Sequence, residues 1–395
     1  MSKTLLVLAA SRYQVEAIKA AKRLGLRVVS CDNKPDNPGH LLADRCYQVD
    51  TTDMAGILEV AKAEKIDGII APCTDVALPT AAYVAEKYNL IAPSYQAAVI
   101  LTDKWLFRNF MRDIGMPYPN YTSSEDTVDT CQFQNQYHNC IVKPNKSSGS
   151  KGIAIIKTSD ELKSRIIEAR NQSLDSVVIV EEIIIGSQHT CEGILQGGKV
   201  KFFLITDRFT QRPPYTTTVG HRVPTTLGMQ RQKELTTAIE KVFTSLEIQE
   251  SVFDCDFVSG EEQVVILELT PRLGGNSLAK LIRHGCGFDI TEFAVKQACG
   301  VREEISQVEN VSPCAVIILG TEKTGLLEYR QQYASCLRSK DYVKDFAMDY
   351  QRGDKVEAFI NGRNRIGEVV ITAENRDDLD DRVAEINTGL GISVR

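Results

Sequence analysis

The sequence predicts a multidomain protein that combines α/β and α+β architecture. Its 395 residues suffice for two or three domains with a sizeable core. Over residues 1–100, short apolar runs alternate with amphipathic stretches, which is typical of an open parallel sheet with helices. Strands, a Gly/Ser loop and an acidic hairpin follow over residues 101–300. Residues 301–395 then show the pattern of a small α+β domain.

The first hundred residues predict strand, helix, strand, helix and strand in that order. The segments are TLLVLAA, YQVEAIKAAKRLG, LRVVSCD, DMAGILEVAKAEK and DGIIAP. Ligands of such sheets gather at the carboxyl ends of the strands, which here carry Ala10, Ser11, Arg12, Asp32 and Thr74. Ser11 and Arg12 therefore either bind a carboxylate or phosphate group or form a solvated surface turn.

A dinucleotide site at this sheet is disfavoured. Asp32 lies about 20 residues past the first strand, where such a site needs an acid. The first turn, however, reads AASRYQ and has no G-x-G-x-x-G. The glycine cradle for a pyrophosphate is missing, so a nicotinamide-dependent oxidoreductase is only a distant alternative.

The central segment carries lysines in places that need an anion. A helix is predicted over residues 103–114, and a strand, the loop KSSGSKG and a second strand follow it. Lys143 interrupts an otherwise apolar strand, so it needs an anionic partner or an edge position that reaches solvent. The loop over residues 146–152 supplies N–H groups, hydroxyls and two lysines suited to phosphates, although such loops are also common connectors.

The later elements are predicted from the same patterns. In chain order they are strands over 176–184, 189–195 and 199–206, a loop over 210–220, helices over 230–246, 278–284 and 290–298, strands at CAVIIL, KVEAFI and IGEVVIT, and a last helix over 376–388. The apolar run of the strand over 176–184 breaks at two acids, Glu181 and Glu182.

An acidic β-hairpin, SVFDCDFV followed by VVILELT, is the most informative stretch of the chain. A turn centred near Glu262 sets Asp256 opposite Glu268, and Asp254 opposite Thr270. Opposed β-carbons are roughly 5 Å apart, so the two carboxylates of the first pair would repel each other. Either a hard cation such as Mg²⁺ lies between them or the hairpin is a solvated acidic surface.

Composition excludes several classes of protein. With 46 basic and 52 acidic residues the net charge is −6, which argues against general binding of nucleic acids. The cysteines form no C-x-x-C pair and the histidines no H-x-x-x-H, so structural zinc is not expected. No apolar run is long enough for a signal peptide or a membrane span. These features, with an odd number of cysteines, predict a cytoplasmic protein.

The ordered series Lys104, Lys143, KSSGSKG, VEEII, DCD and ELTPR resembles the ATP-grasp superfamily. It is most similar to the branch that contains biotin carboxylase, the purine-pathway carboxylate ligases and the bacterial L-amino-acid ligases. The resemblance implies a Rossmann-like pre-ATP-grasp domain over 1–100 and an ATP-grasp domain over 101–300, with a lid subdomain over about 120–185. The C-terminal α+β domain then spans 301–395.

The resemblance also implies roles for individual residues. Those implied for ATP are Lys104 and Lys143 on the phosphates, Lys146, Ser148, Gly149, Ser150 and Lys151 in the lid loop, Glu181, Glu182 and Ile184 beside the adenine, and Gln188 where relatives often carry a ribose-binding Glu. Those implied for the reacting end are Asp256, Glu268 and Asp254 on Mg²⁺, Arg272 and His221 in catalysis, and Arg272, Asn276, Ser11 and Arg12 on the substrate. Mn²⁺ could replace Mg²⁺, and Thr270 stands where several relatives carry an Asn ligand.

The function that the resemblance implies is an ATP-dependent carboxylate–amine ligase that works through an acyl phosphate. The alternatives are a carboxylase that uses bicarbonate and a non-catalytic nucleotide-binding regulatory protein. The expected partners are a small carboxylate and a small amine, with neither nucleic acid nor membrane, and a homodimer is compatible with the resemblance. The sequence leaves open the identity of both substrates, the general base, and whether Asp254 or Thr270 completes the metal site.

Overall fold

The N-terminal sheet is parallel, as predicted. The structure, a computed structural model, describes residues 2–123, 132, 136, 139–305, 308 and 310–395. The first elements are β1 (Thr4–Leu8), α1 (Val15–Arg23), β2 (Arg27–Cys31), β3 (Arg45–Tyr47), α2 (Met54–Glu64), β4 (Gly68–Ile70), α3 (Leu78–Tyr88), α4 (Tyr95–Thr102) and α5 (Lys104–Asp113). The strand order is β3-β2-β1-β4. Strand β3 was not predicted, because its residues Arg45–Tyr47 are mostly exposed and form no apolar run.

A second sheet of four strands contains Lys143 and the acids of VEEII. Its elements are β5 (Tyr121–Ser123), β6 (Cys140–Pro144), β7 (Ala154–Ile156), α6 (Ser159–Gln172) and β8 (Val178–Glu182). The order is β5-β8-β6-β7 and every pairing is antiparallel. Part of the predicted lid, including residues 124–131, lies outside the described residues.

The largest sheet joins the acidic hairpin to the C-terminal strands. Its eight strands run in the order β13-β12-β9-β10-β11-β14-β18-β16, and β17-β15-β19 form a small sheet beside it. The elements are β9 (Ser187–Gln196), β10 (Lys199–Thr210), β11 (Thr218–Val223), α7 (Met229–Ser245), β12 (Ser251–Ser259), β13 (Val264–Thr270), α8 (Leu278–Cys286), α9 (Ile290–Ala298), β14 (Cys314–Leu319), β15 (Gly325–Glu328), α10 (Gln331–Arg338), β16 (Val343–Met348), β17 (Lys355–Val356), the 3₁₀ turn Gly362–Asn364, β18 (Gly367–Thr372), α11 (Arg376–Leu390) and β19 (Ser393–Val394).

Two predictions about this part of the chain need correction. The end of the predicted loop over 210–220 belongs to β11, which pairs with the preceding strand β10 and with the distant strand β14. Only Lys355–Val356 of KVEAFI is a strand, because only these residues pair with β15. The large sheet also crosses residue 300 without a break, since β11 pairs with β14. The division into domains remains a prediction.

The hydrophobic core explains which way the acidic strand faces. Phe253, Cys255 and Phe257 pack with α5 and α7 in one buried cluster. Side chains alternate along a strand, so Asp254 and Asp256 lie on the opposite face of β12. None of the described helices has the length and apolar character that crossing a membrane requires.

Candidate functional site

The hairpin has the predicted register. Asp254 lies opposite Thr270, and Asp256 opposite Glu268. The pairing shifts by one residue just after Asp256, which marks a bulge beside the carboxylates. Strand β9 lies on the other side of β12 and sets Thr190 opposite Asp256. The two acids therefore lie together on the open face of the largest sheet.

A single cleft of about 930 Å³ collects the residues selected from the sequence. The predicted residues that line it are Ser11, Arg12, Lys104, Lys143, Lys146, Ser148, Gly149, Ser150, Lys151, Glu181, Glu182, Ile184, Gln188, His221, Asp254, Asp256, Glu268, Arg272 and Asn276. Asp32 and Thr74, at the ends of the N-terminal strands, line it too. The cleft thus lies between the N-terminal sheet, the four-stranded sheet β5-β8-β6-β7 and the large sheet.

Lys143 has an anionic partner inside the protein. Its Nζ lies 2.5 Å from Oε2 of Glu181, the neighbouring acid on β8. The alternative of an edge lysine that reaches solvent is wrong, because Lys143 is buried. Glu181 also accepts a hydrogen bond from Nε of Arg108 at 2.7 Å. The carboxylate of Glu181 is therefore engaged by two cations, and the residue lines the cleft.

Burial and charge act in opposite directions on these groups. Burial would raise the pKa of Glu181, but Arg108 and Lys143 outweigh it and lower that pKa to about 2. Burial lowers the pKa of Lys143, and Glu181 opposes that shift. Glu181 is thus ionised at neutral pH.

The Gly/Ser loop contains one lysine with acidic partners and one without. Nζ of Lys146 lies 3.1 Å from Oδ2 of Asp103 and 3.4 Å from Oδ2 of Asp175. Lys151 has no ion pair within the described part of the chain. Burial, with the nearby Arg363 and Lys34, lowers the pKa of Lys151 to about 8. The loop is held against the C-terminal region, since Gly362 N–H donates to Gly149 O at 3.0 Å.

The two opposed acids differ in their partners. Asp256 accepts hydrogen bonds from Arg208 Nη1 at 2.7 Å and from Thr190 Oγ1 at 2.6 Å. Glu268 accepts none from any described residue. Burial raises the pKa of Glu268, Lys104 lowers it, and the carboxylates of Asp75 and Asp256 raise it further. Glu268 is thus the acid of this pair whose charge the protein leaves least compensated.

Arg272 lies between two acids rather than free in the cleft. Its Nη1 is 2.7 Å from Oδ2 of Asp254, and its Nε donates to Oδ1 of Asp75 at 2.8 Å. Burial raises the pKa of Asp254 to about 7, although Arg272 opposes the shift. Oγ1 of Thr270 is buried and has no hydrogen-bond partner in the described structure.

The predicted trio of metal ligands does not form a preassembled site. Within the residues that the structure describes, no three His, Cys, Asp or Glu side chains are placed to hold one ion. Asp254 is directed to Arg272, while Asp256 and Glu268 face each other. The sequence could not show this difference, because Asp75, which shares Arg272, comes from a distant loop.

His221 is buried and neutral. Burial and the nearby Arg208 lower its pKa to about 3, against the opposing charge of Asp256. Its Nδ1 lies 2.9 Å from Oγ1 of Thr206, and its Nε2 has no partner among the described groups. A histidine with so low a pKa is a weak base at neutral pH.

The two N-terminal residues predicted for the substrate make contacts within the protein. Ser11 Oγ lies 2.7 Å from Oε1 of Gln14. Arg12 forms an ion pair with Asp349 from the C-terminal region. Asp32 accepts hydrogen bonds from Ala10 N–H at 2.9 Å and from Lys34 N–H at 2.8 Å, so it shapes the loops at this edge of the sheet. That role accounts for an acid here without a dinucleotide.

The prediction did not include three charged residues of the site. Arg108 is completely buried, and Asp75 and Arg208 line the cleft. Arg108 alone carries a visible signal, since it follows Lys104 by one helical turn and lies next to Phe107 in an amphipathic helix. Asp75 and Arg208 show none, because their partners are distant in sequence.

Comparison with known proteins identifies the central part of the chain. Residues 101–276 match the family model described as the ATP-grasp domain. A formate-dependent phosphoribosylglycinamide formyltransferase from Prochlorococcus marinus is 25% identical over 345 residues, which are 83% of this chain and 83% of that protein. Its name, like those of the structures below, is that of an enzyme.

Two solved structures have the same fold along the whole chain. The L-amino acid ligase from Bacillus licheniformis has a TM-score of 0.85 at 17% identity, over 100% of this chain and 98% of that one. The biotin carboxylase domain of the 2-oxoglutarate carboxylase from Hydrogenobacter thermophilus, in complex with MgADP and bicarbonate, has a TM-score of 0.76 at 17% identity. It covers 100% of this chain and 91% of that one. The resemblance to the ATP-grasp superfamily that the sequence predicts is confirmed: residues 101–276 of this chain form an ATP-grasp domain.

Proposed function

We propose that the protein is an ATP-dependent ligase that joins a small carboxylate to a small amine. The γ-phosphoryl group of ATP passes to the substrate carboxylate and gives an acyl phosphate and ADP. The amine then attacks the acyl carbon and forms an amide, and phosphate leaves while the amine loses a proton. The N-terminal unit, the ATP-grasp unit and the C-terminal unit, divided near residues 100 and 300, would enclose this reaction together.

One observation carries this proposal: cations and opposed carboxylates line the same cleft. Lys104, Lys143 and Lys151 lie at it together with Asp256 and Glu268. ATP carries several negative charges, and phosphoryl transfer depends mainly on positioning and on neutralising them. The lysines and the N–H groups of the loop would hold the phosphates. Glu181 to Ile184 and Gln188 would lie along the adenine and the ribose.

The pair Asp256 and Glu268 has the donor chemistry for a divalent cation. Two carboxylates face each other across the hairpin, and Glu268 has no hydrogen-bonding partner among the described residues. Carboxylate oxygens are preferred by Mg²⁺, which usually adds substrate phosphates and water to one or two of them. When bound, Mg²⁺ would neutralise charge on the transferred phosphoryl group. Mn²⁺ takes similar ligands, and Asp254 would act through Arg272.

The substrates would bind between Arg272 and the N-terminal sheet. Arg272 and Asn276 line the cleft there with Ser11 and Arg12. The guanidinium of Arg272 suits the oxygens of a carboxylate or an acyl phosphate. The names of similar proteins, an L-amino acid ligase and a formate-dependent formyltransferase, support amino acids and formate as the first acids to test.

Release of ADP from MgATP, screened over pairs of acids and amines, tests the proposal. The acids are formate, the L-amino acids and bicarbonate, each with and without an amine. We expect ADP only when both substrates are present, and a hydroxamate when hydroxylamine replaces the amine. Glu268→Gln should reduce product formation by about 10²–10³-fold, while Glu261→Gln in the exposed turn should not. ADP release that is independent of any acid would contradict the proposal, and labelled bicarbonate in the product would favour the carboxylase.

A further inference from the structure

Arg108, Glu181 and Lys143 form a chain of buried charges beneath the nucleotide end of the cleft. Nε of Arg108 donates to Oε1 of Glu181 at 2.7 Å, and Nζ of Lys143 lies 2.5 Å from Oε2 of the same carboxylate. Nη2 of Arg108 donates to the backbone oxygen of Leu267 at 2.8 Å. The side chains of Arg108 and Glu181 are 0% and 1% exposed, and that of Lys143 is 10% exposed.

This chain of contacts joins the four elements that carry the proposed ATP machinery. Arg108 lies one helical turn after Lys104 on α5. Glu181 is the penultimate residue of β8, beside the proposed adenine pocket, and Lys143 comes from the neighbouring strand β6. Leu267 directly precedes Glu268 on β13. Arg108 therefore ties the helix of one phosphate lysine to the strands of the other lysine and of the metal-facing acid.

The charges of Arg108, Glu181 and Lys143 do not cancel one another. Two cations share one carboxylate, so one positive charge remains. Lys143 and Glu181 line the cleft whereas Arg108 does not, so the excess positive charge lies at the cleft on Lys143. Burying an extra charge is costly unless a partner arrives. A nucleotide phosphate would be that partner.

We propose that Arg108 and Glu181 are a positioning pair, which holds the ammonium of Lys143 charged and directed at the nucleotide phosphates. The proposal deepens the proposed function and rests on it for the identity of the ligand. Neither residue of the pair needs to touch ATP. Arg108 fixes the Glu181 carboxylate from below, and Glu181 supplies the negative charge that keeps a buried lysine protonated.

The charged groups around Lys143 are few. Glu181 on β8 favours its protonated form, while Arg108 and Lys104 on α5 disfavour it, as does burial. Strand β7, the other neighbour of β6, is Ala154–Ile156 and carries no titratable side chain. Among the described residues that affect Lys143, Glu181 is therefore the group that favours its protonated form against burial and two cations. Without Glu181, a buried lysine can lose its proton near neutral pH.

The test is Glu181→Gln, with two profiles recorded from about pH 6 to about pH 9, a range in which buried lysines of this kind titrate. The first is the affinity for MgADP by calorimetry. In the variant it should fall by about tenfold per pH unit once Lys143 begins to lose its proton, while the parent stays flatter. The second is the melting temperature without nucleotide. The melting temperature of the variant, compared with that of the parent at the same pH, should rise with pH. The reason is that Lys143 binds a proton in the unfolded variant and not in the folded one.

Two further variants separate positioning from general damage to the site. Arg108→Met leaves Lys143 with Glu181 alone, so its affinity for MgADP should be lower than that of the parent but should not gain the pH slope. Adding Lys143→Arg to Glu181→Gln should remove the slope, because a guanidinium keeps its proton throughout this range. If Glu181→Gln does not fold, Glu181→Asp tests the same slope at a smaller expected amplitude.

Two results would overturn the proposal. One is a profile of Glu181→Gln that runs parallel to that of the parent in both measurements. The other is an equal slope in Arg108→Met, which would trace the effect to a loosened site. Both profiles are independent of amide formation, and the melting profile does not need nucleotide. Failure of the ligase proposal would therefore appear as missing product with the pH slopes intact.

Discussion

The two ends of the cleft treat buried charge in opposite ways. At the nucleotide end, Lys143 and Glu181 lie 2.5 Å apart and Arg108 completes the contact. At the acidic end, Glu268 faces another carboxylate and has no hydrogen bond or ion pair among the described residues. A charge with an internal partner keeps its geometry without a ligand. A buried charge without such a partner is costly until a ligand arrives, which is why we propose a cation at Glu268.

The same contrast recurs within the Gly/Ser loop. Lys146 forms ion pairs with Asp103 and Asp175. Lys151, five residues later, has no ion pair in the described structure and lies near two other cations. One lysine therefore anchors the loop, and the other is available for an anion. Residues of one type in one motif thus have different expected effects when they are replaced.

The largest expected difference is between the stabilities of a Glu181 variant and a Lys143 variant. Glu181→Ala leaves two buried cations without a counter-charge and should lower the free energy of unfolding by about 3–5 kcal/mol. Lys143→Met leaves the pair of Arg108 and Glu181 intact and should cost much less. Urea unfolding of both variants near pH 7 measures the difference. Equal losses in the two variants would mean that Lys143 contributes as much to stability as Glu181, which would contradict the comparison above.

At Glu268, in contrast, a substitution should reduce activity strongly and stability little. Glu268→Gln should reduce ADP formation by about 10²–10³-fold, because removing one charge-stabilising group from a reacting site costs about that much. The stability of this variant should hold or rise, because burial, Asp75 and Asp256 disfavour the charge of Glu268 and outweigh Lys104. Single-turnover assays at several Mg²⁺ concentrations, with Glu261→Gln as the matched control, measure the effect. A loss of less than threefold, about 0.6 kcal/mol, would remove Glu268 from the site.

The two loop lysines should differ in their effect on ATP. Lys151→Met should raise KM for ATP by about tenfold, because hydrogen bonds to charged groups contribute about 1.5–3 kcal/mol. Lys146→Met should change KM little and reduce stability by no more than about 1 kcal/mol, as for a partly exposed ion pair. Steady-state kinetics with ATP varied compares the two. Equal effects on KM would indicate that the whole loop binds the nucleotide.

The smallest expected effect concerns His221 in acid. Its pKa is about 3 in the folded protein against an ordinary value of 6.5. The unfolded chain therefore binds a proton that the folded one does not, and stability falls as the pH drops from 6.5 towards 3. His221→Gln should lose less stability than the parent over this window, measured by urea midpoints. Profiles that coincide would show that His221 is protonated when folded.

The order of elements and the register of the hairpin follow from the sequence because both are local. Helix periods and strand runs need only neighbouring residues. The pairing of Asp256 with Glu268 needs only the position of a turn and the alternation of side chains. The resemblance to the ATP-grasp superfamily rests on the same short motifs, and the match over residues 101–276 confirms it.

What the tertiary structure alone decided is which charges meet. Asp75 reaches Arg272 across 197 positions in sequence, and Arg108 reaches Glu181 across 73. No local pattern carries such pairs, since they depend on how separate sheets and helices pack. The sequence by itself determined many of the charged residues of the cleft, although Asp75 and Arg208 emerged only from the structure. Packing decided which of these charges are neutralised inside the protein and which, like those of Glu268 and Lys151, have no ion pair among the described residues.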